Sequence, residues 1–277
     1  MAEQKFVDHV VSTPDPVSKG VHNPIHDATG AGAAGYAGAL VAGVRTYGWA
    51  AQTLCRALGA EWLDRGWVDY SLRRPLFAGE TLQIEVVRDA QHWALTCTAG
   101  EGDDRRVVLD GSAGLGDALW LDDLAQPDIA PAQKALKTLH GYDLNSVPLH
   151  VPLRPLGAFV SNQAARDMVA VDLGLDDERY LGAARGAPGL VHPYFLAGRM
   201  APLTRHNFVY GPTIHVRSQI QHRRQAKAEC EITVGAQIND AYDRNGHWYQ
   251  VLDGVVSDPA GELARIRHHT IFRPRGT

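Results

Sequence analysis

The sequence predicts an α+β protein built from two tandem copies of one unit, a long helix followed by an antiparallel meander. Three observations predict it. Apolar residues recur at helical spacing from Val41 to Leu58. They alternate with polar residues in several short segments from Val68 onward. The same order of patterns returns from Gly189 onward. At 277 residues the chain can bury a sizeable core as one large domain or two small ones.

Residues 1–20 hold two prolines and a Ser-Lys-Gly turn, and a stretch rich in small residues follows from His22 to Gly43. The helix is read from Val41, Val44, Tyr47, Ala51, Leu54, Cys55 and Leu58, with Gly59 as its stop. Strands follow where Val68, Tyr70 and Leu72, then Leu82, Ile84 and Val86, then Trp93, Leu95 and Cys97 alternate with their neighbours. Glu101–Arg106 reads as a hairpin turn, after which Val107–Leu115 returns as a strand. One helix laid on such a sheet buries the apolar face of each.

Residues 117–153 carry prolines at 127, 131 and 148 and read as a crossing segment, with a helix expected over Pro131–Leu139 and strand alternation around Leu149–Leu153. The boundaries expected are 1–122 for the first repeat, 123–154 for the linker and 155–277 for the second repeat. In the second, Gly189–Leu203 takes the place of the helix, and Ile214, Val216 and Ile220 mark a strand. Cys230, Ile232 and Val234 repeat the Leu82 pattern, Trp248 answers Trp93, and Ala264–Arg273 closes the unit. Pro202 falls inside the helical pattern and is expected to kink or end it.

Composition removes several classes. The formal charge is -4 with both signs interspersed, which leaves no basic stripe for nucleic acid. The three cysteines, Cys55, Cys97 and Cys230, have no metal spacing and argue against a disulfide framework. No signal-like segment opens the sequence and no apolar run is long enough for a membrane span. A soluble cytoplasmic protein with no membrane partner is expected.

Asn23-Pro24-Ile25-His26, then Gly35-Tyr36, then Leu40–Val44 and Thr46-Tyr47-Gly48 resemble the MaoC-like acyl-thioester hydratases and dehydratases, of the (R)-specific enoyl-CoA hydratase type. Val68–Val87 is similar to that family's strand region with its Arg-Pro and Gly-Glu-Thr-Leu motifs. Asp176–Met200 resembles the altered second repeat of its double hot-dog members. The resemblance covers residues 20–115 clearly and 155–272 more loosely. It implies a double hot-dog fold, each repeat an antiparallel sheet wrapped around a long central helix. It also implies reversible addition of water to a 2-enoyl thioester of coenzyme A or an acyl carrier, with no cofactor beyond the coenzyme A of the substrate. A family His and Asp would hold the water, and N–H groups at the helix start would polarise the thioester carbonyl. On that basis His26 is the expected catalytic histidine, Asn23 belongs to its supporting block, and Gly43 supplies the oxyanion N–H. The place of the family's Asp, five residues before the His, is Val21 here, and the residue before Gly43 is Ala42. Asp27 is the nearby carboxylate expected to supply the acid. Its competing reading is a turn or helix-cap aspartate.

Other motifs have blander readings. Gly30–Gly35 spells G-x-G-x-x-G, but a polar, proline-bearing segment precedes it where a dinucleotide fold needs a strand. Small residues that let the backbone pass beneath the helix are the expectation. Pro24 breaks the helical spacing of His22 and His26, and no metal site is expected. His215 and His222 lie an odd number of residues apart, so a continuous strand puts them on opposite faces. His192 precedes Pro193 at the start of the second helix, the counterpart of Ala42, and reads as either a functional group or a cap. Tyr36 and Tyr180 are candidates for lining an acyl tunnel. Trp67, Trp93 and Trp248 read as core. Gln221–Lys227 and Arg267–Arg275 are basic runs that read as a solvated face or as a rim for carrier phosphates.

The leading functional expectation is therefore hydration or dehydration of a 2-enoyl or 3-hydroxyacyl thioester. The alternatives are a hot-dog thioesterase, a non-catalytic acyl-thioester binder, and a hydro-lyase acting on a small molecule without a carrier. A homodimer paired through sheet edges is compatible with all of them.

Overall fold

The computed structural model describes residues 4–15, 24–33, 35–89, 92–181 and 188–275. The first half begins with strand β1 (Lys5–Val11), then the short helix α1 (Ala28–Ala33) and the central helix α2 (Gly43–Leu58). One turn, α3 (Trp62–Arg65), leads to β2 (Gly66–Leu72), β3 (Thr81–Arg88), β4 (Trp93–Ala99) and β5 (Arg106–Leu115). The second half holds β6 (Leu156–Val160), α4 (Asn162–Asp167) with a wider turn over Met168–Asp172, α5 (Glu178–Leu181), α6 (Pro193–Ala197) and α7 (Met200–Asn207). It ends with β7 (Ile214–His222), β8 (Cys230–Arg244), β9 (His247–Asp258) and β10 (Gly261–Arg273).

All strands join one ten-stranded antiparallel sheet in the order β1-β3-β4-β5-β2-β7-β10-β9-β8-β6. Read outward from the centre, the two halves repeat one connectivity, with β6 standing for β1 and β7 through β10 for β2 through β5. The duplication seen in the sequence is thus a pseudo-twofold about the β2–β7 pair, where Val68 faces Ile220. Arg217 and Gln219 bind Asp69 across this seam, and the Gln221 side chain donates to the carbonyls of Gly66 and Gly116.

The alternation read from the sequence explains the core. In β3, Leu82, Ile84 and Val86 are buried and their neighbours are not. α2 lays Tyr47, Ala50, Ala51, Leu54, Cys55 and Leu58 into the same cluster, and Gly59 ends it at φ 85°. The tryptophans divide. Trp49 and Trp62 are fully buried. Trp67, Trp93 and Trp248 are half-buried, packed on Trp120, on Phe6 and on Phe272; Trp93 packs against the main core, and Trp67 and Trp248 lie outside it.

Several expectations are corrected. The segment 1–20, in which the sequence shows only prolines and a turn, also holds a strand: Lys5–Val11 pairs with β3 through its whole length. Pro131–Leu139 is not helical, and Leu149–Leu153 makes only isolated bridges to Ile238 and Gln237. Pro202 does interrupt the second central helix, and the break falls just ahead of the proline. α6 stops at Ala197 and α7 starts at Met200. A proline has no N–H for the carbonyl four residues earlier and its ring strikes that carbonyl, so the interruption falls at Gly198–Arg199. Pro202 itself then lies in the first turn of α7, where an N–H has no helical partner to lose. No close backbone approach is made at Gly32 or Gly35: a Cβ on either would meet nothing, and Gly35 is used for its positive φ of 81°. No helix of the described chain is long and apolar enough to cross a membrane.

Candidate functional site

A cavity of about 570 Å³ opens at the first turn of α2. The first half supplies Asp15, His26, Tyr36, Val41–Val44 and Leu72–Leu76 to its wall. The second half supplies the α6–α7 break, Thr213–Val216, His268, Thr270 and Ile271. The site therefore lies between the repeats, and the break around Pro202 helps to make room for it.

Short-range pairing positions His26. The Leu40 N–H donates to the Ile25 carbonyl at 3.0 Å, which lays the Pro24–His26 turn beside the approach to α2. The His26 ring then places Nδ1 at 2.7 Å from the Leu40 carbonyl and 3.0 Å from Asp15 Oδ2. Neither the carbonyl nor the carboxylate can donate. In the neutral ring Nδ1 therefore carries the hydrogen, and Nε2 carries the lone pair.

Asp15 is held in turn. The Ala42 N–H, at the N-cap of α2, donates to both carboxylate oxygens at 3.2 Å. Arg45 pairs with Oδ1 at 2.9 Å and also donates to the Thr13 carbonyl and hydroxyl and to the Asp172 carbonyl. The Arg45 side chain is only 4% exposed. A cation in the first turn of a helix opposes the helix dipole, so its burial there requires an anion, and Asp15 is that anion. This is the sequence signal through which Asp15 could have been found. Its own neighbours, Pro14 and Pro16, suggest only a turn.

Gly43 opens α2, and its N–H belongs to a first turn that has no partners inside the helix. A Cβ here would lie 2.1 Å from Leu72 Cδ1 and 3.2 Å from His215 Nδ1. Glycine is thus what allows both side chains to close on the helix start.

The Asp27 carboxylate accepts the Gly30 N–H at 2.7 Å and caps α1, the position of a turn aspartate. Asn23 and Val21 lie outside the described residues, as does His22. Tyr36 is half-buried, packs on Ile25 and Leu40 and lines the cavity. His192 is fully buried at the N-cap of α6, where Nδ1 accepts the Tyr194 N–H at 3.2 Å. Its ring packs on Tyr180 at 4.7 Å, and burial pushes its imidazole down to about 3. Neither His192 nor Tyr180 is among the cavity-lining residues. The second helix start is filled by protein where the first one opens on a cavity. Among the described residues, no group of three or more His, Cys, Asp or Glu is arranged for a metal ion.

His215 and His222 do not face opposite sides, because β7 is bulged between them. β7 and β10 pair Arg217 with His269 and His215 with Thr270, which leaves Val216 as an extra residue in β7. Such a bulge shifts the in-out phase by one. His215 and His222 consequently face the same side, towards Tyr70 and Tyr47, which stack on each other at 4.9 Å. The basic runs are also resolved. Arg223 and Arg224 pair with Asp117 and Asp258, and Arg267 pairs with Asp253. The cations that do line the cavity, Arg73, Arg74 and Arg205, come from outside those runs.

No protein-family model and no curated protein matches the chain. Solved structures do. A protein described as a MaoC domain dehydratase of Chloroflexus aurantiacus superposes with a TM-score of 0.64 at 10% identity, covering 99% of this chain and 95% of that one. A conserved protein of Mycobacterium tuberculosis described as a double hotdog fold gives 0.61 at 14% identity, covering 97% and 95%. A TesB protein of Mycobacterium avium subsp. paratuberculosis gives 0.54 at 12% identity, covering 97% and 94%. The chain has the double hot-dog fold that these proteins share.

Proposed function

We propose that this double hot-dog protein adds water to, or removes it from, a 2-enoyl or 3-hydroxyacyl thioester of coenzyme A or an acyl carrier. The observation that carries the reading is the Asp15–His26 pair beside the first turn of α2, in one cavity between the repeats. Acid–base groups alone are sufficient for this chemistry. Leu40 and Asp15 hold the hydrogen on Nδ1, so Nε2 takes the proton of the attacking water. The water oxygen bonds to C3 while the π pair moves towards the thioester. The N–H groups opening α2 at Gly43 donate to the carbonyl oxygen and stabilise the charge that builds on it. Asp15 acts by orienting the imidazole, and Asp27 by capping α1. The apolar wall around Leu40, Leu76 and Ile271 suits an acyl chain, and Arg73, Arg74 and Arg205 suit the phosphates of its carrier.

The test is to mix purified protein with short and bulky 2-enoyl-CoA thioesters and follow the loss of enoyl absorbance. Turnover is expected, with His26→Ala lowering kcat by about 10²–10⁴-fold. Release of free thiol instead would assign the same Asp15–His26 pair to thioester hydrolysis. Saturable binding without turnover of any thioester, or a His26→Ala rate equal to wild type, would overturn the proposal.

A further inference from the structure

The second half brings imidazoles of its own to the cavity. His215 and His268 both line it, and their rings lie 4.3 Å apart. Between them stands Ser218, with its hydroxyl 2.8 Å from His215 Nε2 and 3.0 Å from His268 Nδ1. The bulge at Val216 turns His215 onto the face of Ser218, which sits opposite His268 in the sheet. At its other end, His215 Nδ1 reaches the helix start, 3.2 Å from where a Gly43 side chain would begin. The chain of groups therefore runs from the proposed carbonyl pocket to a second point on the cavity wall.

We propose that His215, Ser218 and His268 form a proton relay in which His215 Nδ1 delivers the proton to substrate C2 while His26 deals with the attacking water. The inference rests on the hydro-lyase reading above. Ser218 is not itself a nucleophile: it is 0% exposed and does not line the cavity, so no carbonyl carbon reaches its Oγ.

The proton accounting closes without a charged relay. At the start His215 holds hydrogen on Nδ1 and accepts the Ser218 O–H at Nε2, and His268 donates from Nδ1 to Oγ. As His215 gives its Nδ1 proton to C2, Oγ–H passes to His215 Nε2 and His268 Nδ1–H passes to Oγ. Water then protonates His268 Nε2. Both rings are neutral before and after, now as Nε2–H tautomers, and the reverse shift, with a proton from cavity water entering at His215 Nδ1 and one leaving His268 Nε2, resets them for the next turnover. Burial, which lowers the His215 imidazole to about 3 and that of His268 well below its usual value, suits such a neutral tautomer shift. His26 meanwhile returns the proton it took from water to solvent. One proton enters and one leaves, and one water is added across C2 and C3.

Two measurements test the relay. In the relay the Ser218 hydroxyl donates to one ring and accepts from the other, so it requires both rings to share a tautomer, both Nδ1–H or both Nε2–H. Long-range ¹H–¹⁵N spectra of the full chain read this without any turnover. If both rings point their hydrogens at Ser218, the relay is overturned. In the hydration assay, Ser218→Ala is expected to lower kcat about 10-fold or more at unchanged KM. It should also straighten the curved dependence of kcat on the deuterium content of the solvent. His268→Gln, which keeps polarity but cannot shift a proton, should do the same and serves if Ser218→Ala folds poorly. Wild-type curvature retained in both variants would overturn the relay and leave the His26 reading standing. Absence of any thioester turnover by wild type would overturn both.

Discussion

Asp15→Asn separates the pair that carries the proposed chemistry with almost no change of shape. In the wild type, the carboxylate meets three donors: the His26 ring, the Ala42 N–H and the Arg45 guanidinium. An asparagine has one acceptor oxygen, so its NH₂ must face at least one of these donors. Arg45 keeps its contacts to Thr13 and to the Asp172 carbonyl but loses its anion. Breaking a buried ion pair from one side costs about 3–5 kcal/mol. The surviving hydrogen bonds place this case near the lower end, at about 2–4 kcal/mol. For a chain of this size that corresponds to a fall in Tm of roughly 3–7 °C. If the NH₂ turns to His26, its hydrogens oppose the Nδ1–H that the Leu40 carbonyl still accepts, and the ring loses both the carboxylate that orients it and the anion that stabilises its protonated form, so kcat should fall by about 10²–10⁴-fold. Thermal unfolding and the enoyl-thioester assay check the two effects separately. The double variant Asp15→Asn with Arg45→Met should lose less stability than the sum of the singles, because it removes the stranded charge. An Asp15→Asn protein as stable and as active as wild type would refute the reasoning.

Asp27→Ala should lose about 1 kcal/mol of stability with the α1 cap while kcat stays within a few-fold of wild type, as measured by denaturant titration and the hydration assay. A loss of kcat matching that of His26→Ala would return Asp27 to the chemistry. His192→Asn keeps a side-chain cap for α6, and His192→Ala does not; only the latter should show the further cap loss of about 1 kcal/mol, and both should retain kcat because His192 does not line the cavity. Burial lowers His192 and His215 to about 3 and His222 to about 4, whereas an unfolded chain titrates near 6.5. The unfolded state therefore binds more protons below about pH 6.5, and the fold loses stability as the pH falls from there towards 3. The slope approaches about 1.4 kcal/mol per pH unit for each imidazole. Urea midpoints measured at pH 7.5 and 5 should differ accordingly; equal midpoints would contradict the burial of neutral rings.

What the sequence determined by itself was whatever one segment decides alone. The period of three to four from Val41 to Leu58 gave α2 because a helix shows one face at that spacing. The alternation at Leu82, Ile84 and Val86 gave β3 because one face of the sheet is buried. The repeated order of these patterns revealed the duplication, and the His26 block before α2 pointed to the cavity. Tertiary structure decided what depends on partners far apart in the chain. Asp15 reaches His26 and Arg45 only because the segment after β1 folds back over the start of α2, and no spacing encodes that approach. His215 joins Ser218 and His268 only because one extra residue in β7 reverses the alternation, and a bulge is a property of two paired strands. Local periodicity is written in neighbouring residues. The register of distant strands and the meeting of buried charges are settled by the packing of the whole chain, and both the Asp15–His26 contact and the His215–Ser218–His268 cluster were decided there.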